Sequence, residues 1–169
     1  MPPDVAPPPA LDPDLVEFLQ GQVMIIVGTQ AAGRPEIARA LGAQVDAARG
    51  AVTLALSAWQ WPETLAHLRA DPRMAVTFSR PRDYATYQLK GRATAIRAAE
   101  PAQVAAASRY GRRMAADLAA LGVAPAVSAP WRVERDLVGV TMAVEAVFLQ
   151  TPGRDAGRPI GAVAGGDRA

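Results

Sequence analysis

Apolar positions along the chain switch between a period of two and a period near 3.6, so strands and helices alternate. Asp14 to Gln20 predicts a short opening helix capped by Asp12 or Asp14, with Leu15, Phe18 and Leu19 on one side. Val23 to Thr29 is a continuous, largely β-branched run and predicts a buried strand. Turn chemistry follows at Ala31-Ala32-Gly33-Arg34-Pro35, and Glu36 to Val45 alternates after it, so the two segments predict a hairpin. Ala51 to Ser57 places Val52, Leu54 and Leu56 on one face, and Pro62 to Ala70 reads as a helix with proline at its first position. Met74 to Ser79 and Ala85 to Ile96 supply two more strands. Glu100 to Leu121, alanine-rich with Pro101 near its start and Gly122 past its end, is the long helix. Leu137 to Gln150 closes the pattern with Val138, Val140, Met142, Val144, Ala146 and Phe148 on one face. The expectation is a mainly β protein with α (α+β): six antiparallel strands with one short and one long helix, closed into a small barrel so that no edge is left open. Proline density before Asp14 and the Gly, Arg and Pro of the end predict tails at 1–13 and 151–169 around one domain at 14–150.

Composition narrows the chemistry. The chain of 169 residues has no cysteine and a single histidine, His67. Thiolate nucleophiles, Fe–S clusters and Cys-built zinc sites are therefore excluded, and a metal site would need carboxylates for nearly every ligand. If the protein is an enzyme, a cofactor carries the reaction. The net charge is +2 and no basic run occurs, which argues against a nucleic-acid partner. The start has no basic and apolar signal pattern, and no apolar run is long enough to span a bilayer, so no membrane association and a cytoplasmic location are expected.

Several side chains stand out. Counting by two along the second strand, Arg39 shares a face with Ile37, Leu41, Ala43 and Val45, an apolar setting that calls for an anionic partner (a bound phosphate or an internal carboxylate), a cleft at that spot, or a strand tip that tilts into water. Thr86, Gln88, Lys90, Arg92 and Thr94 line one side of their strand, a possible anion-binding face or an ordinary solvated one, and Gly91 mid-strand predicts a bulge or a close backbone approach. Ser57-Ala58-Trp59-Gln60-Trp61-Pro62 leads into a helix N-terminus, where free N–H groups favour an anion. Trp59 and Trp61 could border a flat aromatic ligand there or simply fill an interface. His67 is placed on the exposed side of the short helix. Arg109, Arg112 and Arg113 form a solvated helical face, with Asp117 within reach of Arg113, and the WRVERDL stretch from Trp131 to Leu137 reads as a loop of alternating charge.

In sequence order, GRPEIARALG, DPRMAVTFSRP and YQLKGRATAI, framed by the hairpin, short helix, long helix and final strand, resemble the pyridoxamine 5′-phosphate oxidase-like family of flavin-binding split barrels over about Leu15 to Leu149. The resemblance implies a homodimer holding FMN at the subunit interface and an oxidoreductase acting on an unknown small molecule. It implies a cofactor site of Arg39, Ser57, Trp59, Thr64, Thr86, Gln88 and Lys90 and no metal. Some relatives use F420 instead. A split barrel without cofactor, acting as a dimeric ligand-binding or interaction module, is the other reading. One departure is plain: where such proteins commonly carry a cation beside the short helix, this chain reads Trp59-Gln60-Trp61-Pro62-Glu63-Thr64.

Overall fold

The computed structural model describes residues 9–160. Helix α1 (Pro13–Leu19) starts where Asp12 accepts a hydrogen bond from Leu15 N, with Pro13 in its first turn, and it buries Leu15 and Leu19. Strands β1 (Met24–Ala31) and β2 (Arg34–Ala40) are joined by Ala32-Gly33, both at positive φ, the two-residue turn whose twist matches a hairpin. Then come β3 (Ala43–Asp46), β4 (Ala51–Ser57), α2 (Pro62–Ala70), β5 (Arg73–Ser79) and β6 (Thr86–Ala98). Helix α3 (Pro101–Ala120) opens on a capping box between Glu100 and Gln103, and α4 (Pro125–Ser128), β7 (Leu137–Leu149) and β8 (Pro159–Ile160) complete the chain.

The strands form one antiparallel sheet in the order β2-β1-β5-β6-β7-β4-β3, with β8 added to β7. Among the described residues there are thus eight strands rather than six, and the ladder is open rather than a closed barrel. The segment expected as one strand from Glu36 to Val45 is cut at Leu41-Gly42, where Gly42 sits at φ +102°. Its halves go to opposite ends of the ladder: β2 pairs with β1 and β3 pairs with β4. Two residues still link the two ends, and Leu41 N donates to Ala55 O across the seam.

The core lies on the concave side, with Val27, Val52, Leu54, Leu56, Val76, Phe78, Leu89, Val140 and Met142 fully buried. α2 closes one end of it through Thr64, Leu65, His67 and Leu68. This corrects the exposed placement of His67: the helix beds a wide face on the sheet, and His67 Nδ1 lies 3.4 Å from Thr29 Oγ1. α3 packs outside the sheet through Ala107, Gly111, Met114 and Leu118. Its Arg109, Arg112 and Arg113 face solvent as expected, but no ion pair joins Arg113 to Asp117.

The strand alternation breaks twice more. Between Lys90 and Gly91 the β6–β7 register shifts, so Lys90 pairs with Ala146 and Gly91 with Val144, leaving Glu145 as the extra residue of a bulge. Val144 and Val147 are therefore both buried, while Ala146 and Phe148 turn to the outer face instead of continuing the inward row. At Gly91 the sheet backbones come so close that a Cβ would collide with the carbonyl of Ala143. Between Ala93 and Ala95 a second shift gives β6 an extra residue.

Of the two expected tails, 1–8 and 161–169 lie outside the described residues. Leu11 is buried, Thr86 N donates to Thr151 Oγ1, and the half-buried Ile160 packs on the core, so contacts with the domain extend past both expected boundaries. Gly91→Ala is expected to destabilise the fold by about 1–3 kcal/mol, because the obstacle is a backbone oxygen that cannot step aside. Urea unfolding of the two proteins measures this.

Candidate functional site

The outer face of the sheet is laid out by register. Arg39 pairs with Ile26, Ile26 with Thr77, Thr77 with Gln88, and Gln88 with Phe148, so these five side chains form one row across β2, β1, β5, β6 and β7. At about 4.8 Å per strand the row spans roughly 19 Å. The next row is Ile37, Gly28, Ala75, Lys90 and Ala146. Ile37 is 64% exposed, and most of the remaining positions are half-buried. The middle of the face mixes small and apolar positions (Ile26, Gly28, Ala75) with the Thr77–Gln88 pair, and it has one cation at its β2 edge and one near β7. Gln88 Nε2 donates to Thr77 Oγ1, and Lys90 Nζ rests 4.9 Å from the centre of the Phe148 ring.

Arg39 does not share the core face. Ala38 and Ala40 are the buried residues of β2, and the parity break at Gly42 means that Arg39 faces away from the side on which Val45 packs. Its guanidinium stacks on Trp131, 4.2 Å from the ring centre, in a crevice with Tyr110, Met114 and Arg132. Burial lowers its pKa from the usual arginine range, and the Tyr110 phenol partly offsets this. Four ion pairs occur among the described residues and none involves Arg39. The charge is answered by an aromatic face, not by an internal carboxylate.

The segment 129–136, which connects α4 to β7, organises the rest of this corner. Gln60 Nε2 donates to Pro130 O, Ser57 Oγ donates to Arg135 O at 2.6 Å, and Ala58 N donates to Asp136 O. Arg135 lies over the Trp59 ring at 5.0 Å, and Trp59 is itself 53% exposed. Arg132 Nε is buried with no partner. Sequence patterning assigns no function to this stretch, although it brings Trp131 and Arg132 to Arg39 and Arg135 to Trp59. Its mixture of aromatic and basic residues was the only available signal, because nothing local predicts which distant strand it will meet.

Of the seven residues singled out, Arg39, Thr86, Gln88 and Lys90 share the outer face, with Thr86 held at one end by hydrogen bonds to Tyr84 O and Ser79 Oγ. Ser57 and Trp59 belong to the corner at the end of β4. Ser57 is buried and committed to backbone partners, Arg135 O and Gln60 N. Thr64 stands apart: it is fully buried in the first turn of α2, its Oγ1 has no partner, and that helix has no side-chain cap.

The uncommitted donors in this crevice, Arg39 and Arg132 Nε, suit a phosphate, and no carboxylate among the described residues pairs with them. Space is the constraint. The crevice between Arg39 and Trp131 holds about 20 Å³, room for about one water and too little for a phosphate group. A ligand phosphate can therefore reach Arg39 only from the open sheet face. A concavity of about 850 Å³ between α1, the β5–β6 turn and the end of α3 contains none of the seven residues. With Asp12, Asp14, Glu17 and Asp117 against Arg80 and Arg82 it has the wrong charge balance for an anion. No group of three or more potential metal ligands occurs among the described residues, nor is any helix there long and apolar enough to cross a membrane.

Comparison with known proteins agrees with this architecture. The sequence profile of the pyridoxamine 5′-phosphate oxidase family matches residues 11–150. HupZ of Group A Streptococcus is similar in structure, with a TM-score of 0.53 and 16% identity over 86% of this chain and 99% of that one. An F420 reductase gives a TM-score of 0.53 and 14% identity over 80% of this chain and 98% of its own. At such identities these likenesses show the fold. None of the curated protein sequences matches.

Tyr110 ties the site to the core: its hydroxyl donates to Val23 O at 2.6 Å, and burial pushes the phenol well above its ordinary value of 10.0. Because the folded-state pKa is raised, this contribution is complete below pH 10 and is lost as pH climbs toward the folded value. Tyr110→Phe should cost about 1–3 kcal/mol at neutral pH and abolish that part of the alkaline loss. Denaturant titrations at pH 7 and above pH 10 test both.

Proposed function

Because the chain belongs to the pyridoxamine 5′-phosphate oxidase family, we propose that it is a flavin-binding oxidoreductase whose cofactor lies on the outer sheet face, between two copies of the chain. The observation that carries this reading is Arg39: a partly desolvated guanidinium, with no carboxylate partner among the described residues, at the edge of a row that mixes apolar and uncharged polar side chains. The phosphate end of FMN would meet Arg39, with Arg132 behind it. Gln88, Thr77 and Lys90 offer polar contacts along the two rows, and Ile26, Ala75 and Phe148 offer apolar surface for a flat ring system. Exposed Ile37 and its neighbours form a patch that a second copy would cover, which supports a homodimer. Trp59 and the Ser57 corner sit at the rim and contribute shape more than charge. Thr64 would take part only through a rearrangement of the first turn of α2.

A bound flavin supplies hydride transfer; the chain supplies binding, orientation and exclusion of water. No side chain near the rows is placed as a general acid or base, so the small-molecule substrate is set by the surfaces around the ring. The same face suits F420, the coenzyme in the name of one structural neighbour. A second reading is favoured by the narrow crevice at Arg39: a dimeric split barrel without cofactor, serving as a ligand-binding or interaction module.

Absorption spectra of the purified protein, and fluorescence titration with FMN and with F420, separate the readings. Flavoprotein chemistry predicts binding at micromolar affinity or tighter. Arg39→Ala should weaken it at least tenfold, about 1.4 kcal/mol or more, while the folded dimer persists. Indifference to both cofactors leaves the module. Undiminished FMN affinity in Arg39→Ala removes Arg39 from the site.

A further inference from the structure

A second cavity, of about 190 Å³, lies between the first half of α3 and the outer side of β3 and β4, away from the two rows. It exists because both walls are built of small residues: Ala106 and Ala107 on the helix face Gly42, Ala43, Ala55 and Gly139 on the sheet. At about 30 Å³ per water it would hold roughly six.

Its polar lining is rich in donors, with the exposed Gln44 amide offering both a donor and an acceptor. Gln103 Oε1 accepts from Glu100 N and Gln20 Oε1 accepts from Val45 N. Only an amide oxygen can accept from a backbone N–H, so these bonds fix both side chains with their NH₂ groups left to donate. Gln22 Nε2 is buried with no partner at all. Arg109 and Arg113, one helical turn apart, also line the cavity, and neither forms an ion pair among the described residues. Thr53 Oγ1 is engaged with Thr141 Oγ1, and the Tyr110 hydroxyl is spent on Val23 O. No aspartate or glutamate lines the wall.

We propose that this cavity is a binding site for a small carboxylate, with its anionic group at Arg109 and Arg113 and acceptor atoms against the amides of Gln22 and Gln103. With two guanidinium groups and no carboxylate in the lining, the cavity favours an anion over a cation of equal size. Both arginines are solvent-exposed, which sets the site in the range of a freely exchanging metabolite rather than a tightly held prosthetic group.

The test is a ¹H–¹⁵N NMR titration of the full-length protein with succinate, citrate and inorganic phosphate in turn. The expected result is saturable shifts at the Gln22 and Gln103 side-chain amides with succinate or citrate. A response to phosphate alone would show an oxyanion contact at the arginines and overturn the carboxylate assignment. Arg109→Ala/Arg113→Ala, made at exposed positions, should weaken binding at least tenfold, and Ala106→Leu should block it by filling the cavity. Absence of a saturable response to all three probes, or equal affinity in the double variant, overturns the proposal.

Discussion

A β-strand shows successive residues to opposite faces, and only an odd number of inserted residues reverses the assignment. The placement of every candidate side chain here depends on where that happens. The Leu41-Gly42 corner separates Arg39 from the face that Val45 occupies, and the bulge at Glu145 moves Ala146 and Phe148 from the interior to the exterior. Without those two slips Arg39 would be a buried charge and Phe148 a core residue. With them, both belong to one outward row, a cation at one end and an aromatic at the other.

Much of the fold was legible in the chain. The hairpin turn at Ala32-Gly33, the helix over Pro62–Ala70, the long helix ending before Gly122 and the polar side of β6 all follow from local chemistry, because caps, turns and alternation act within a few residues. The family resemblance was carried by the same short segments. What escaped was set by distance. Counting by two cannot see Gly42 as a parity break, since that role comes from the two strands on either side pairing with opposite ends of the sheet. His67 was misplaced because the breadth of the buried face of α2 depends on how the helix lies against β1. The 129–136 segment has no periodic signal, and its stacking of Trp131 on Arg39 joins residues more than ninety positions apart.

Electrostatically the site corner is built by subtraction. Arginines and aspartates elsewhere on the surface are neighbours in sequence: Asp46 with Arg49, Asp71 with Arg73, Arg80 with Asp83, Arg135 with Asp136. Arg39 is instead held by a ring face, which desolvates a cation without neutralising it, and Arg132 beside it buries an Nε with no partner. An indole offers only the weak field of its quadrupole, so such a cation keeps most of its attraction for an oxyanion. No basic residue lies between Trp59 and Thr64, so the cations of this corner come from β2 and from the 129–136 segment.

The two residues between β2 and β3 also act as a clasp. The ladder is open as a pattern of hydrogen bonds, yet its first and last strands are consecutive in the chain, so neither edge can peel away without dragging the other. Fraying at one rim is thereby transmitted covalently to the opposite rim, and the sheet should come apart as one unit rather than strand by strand.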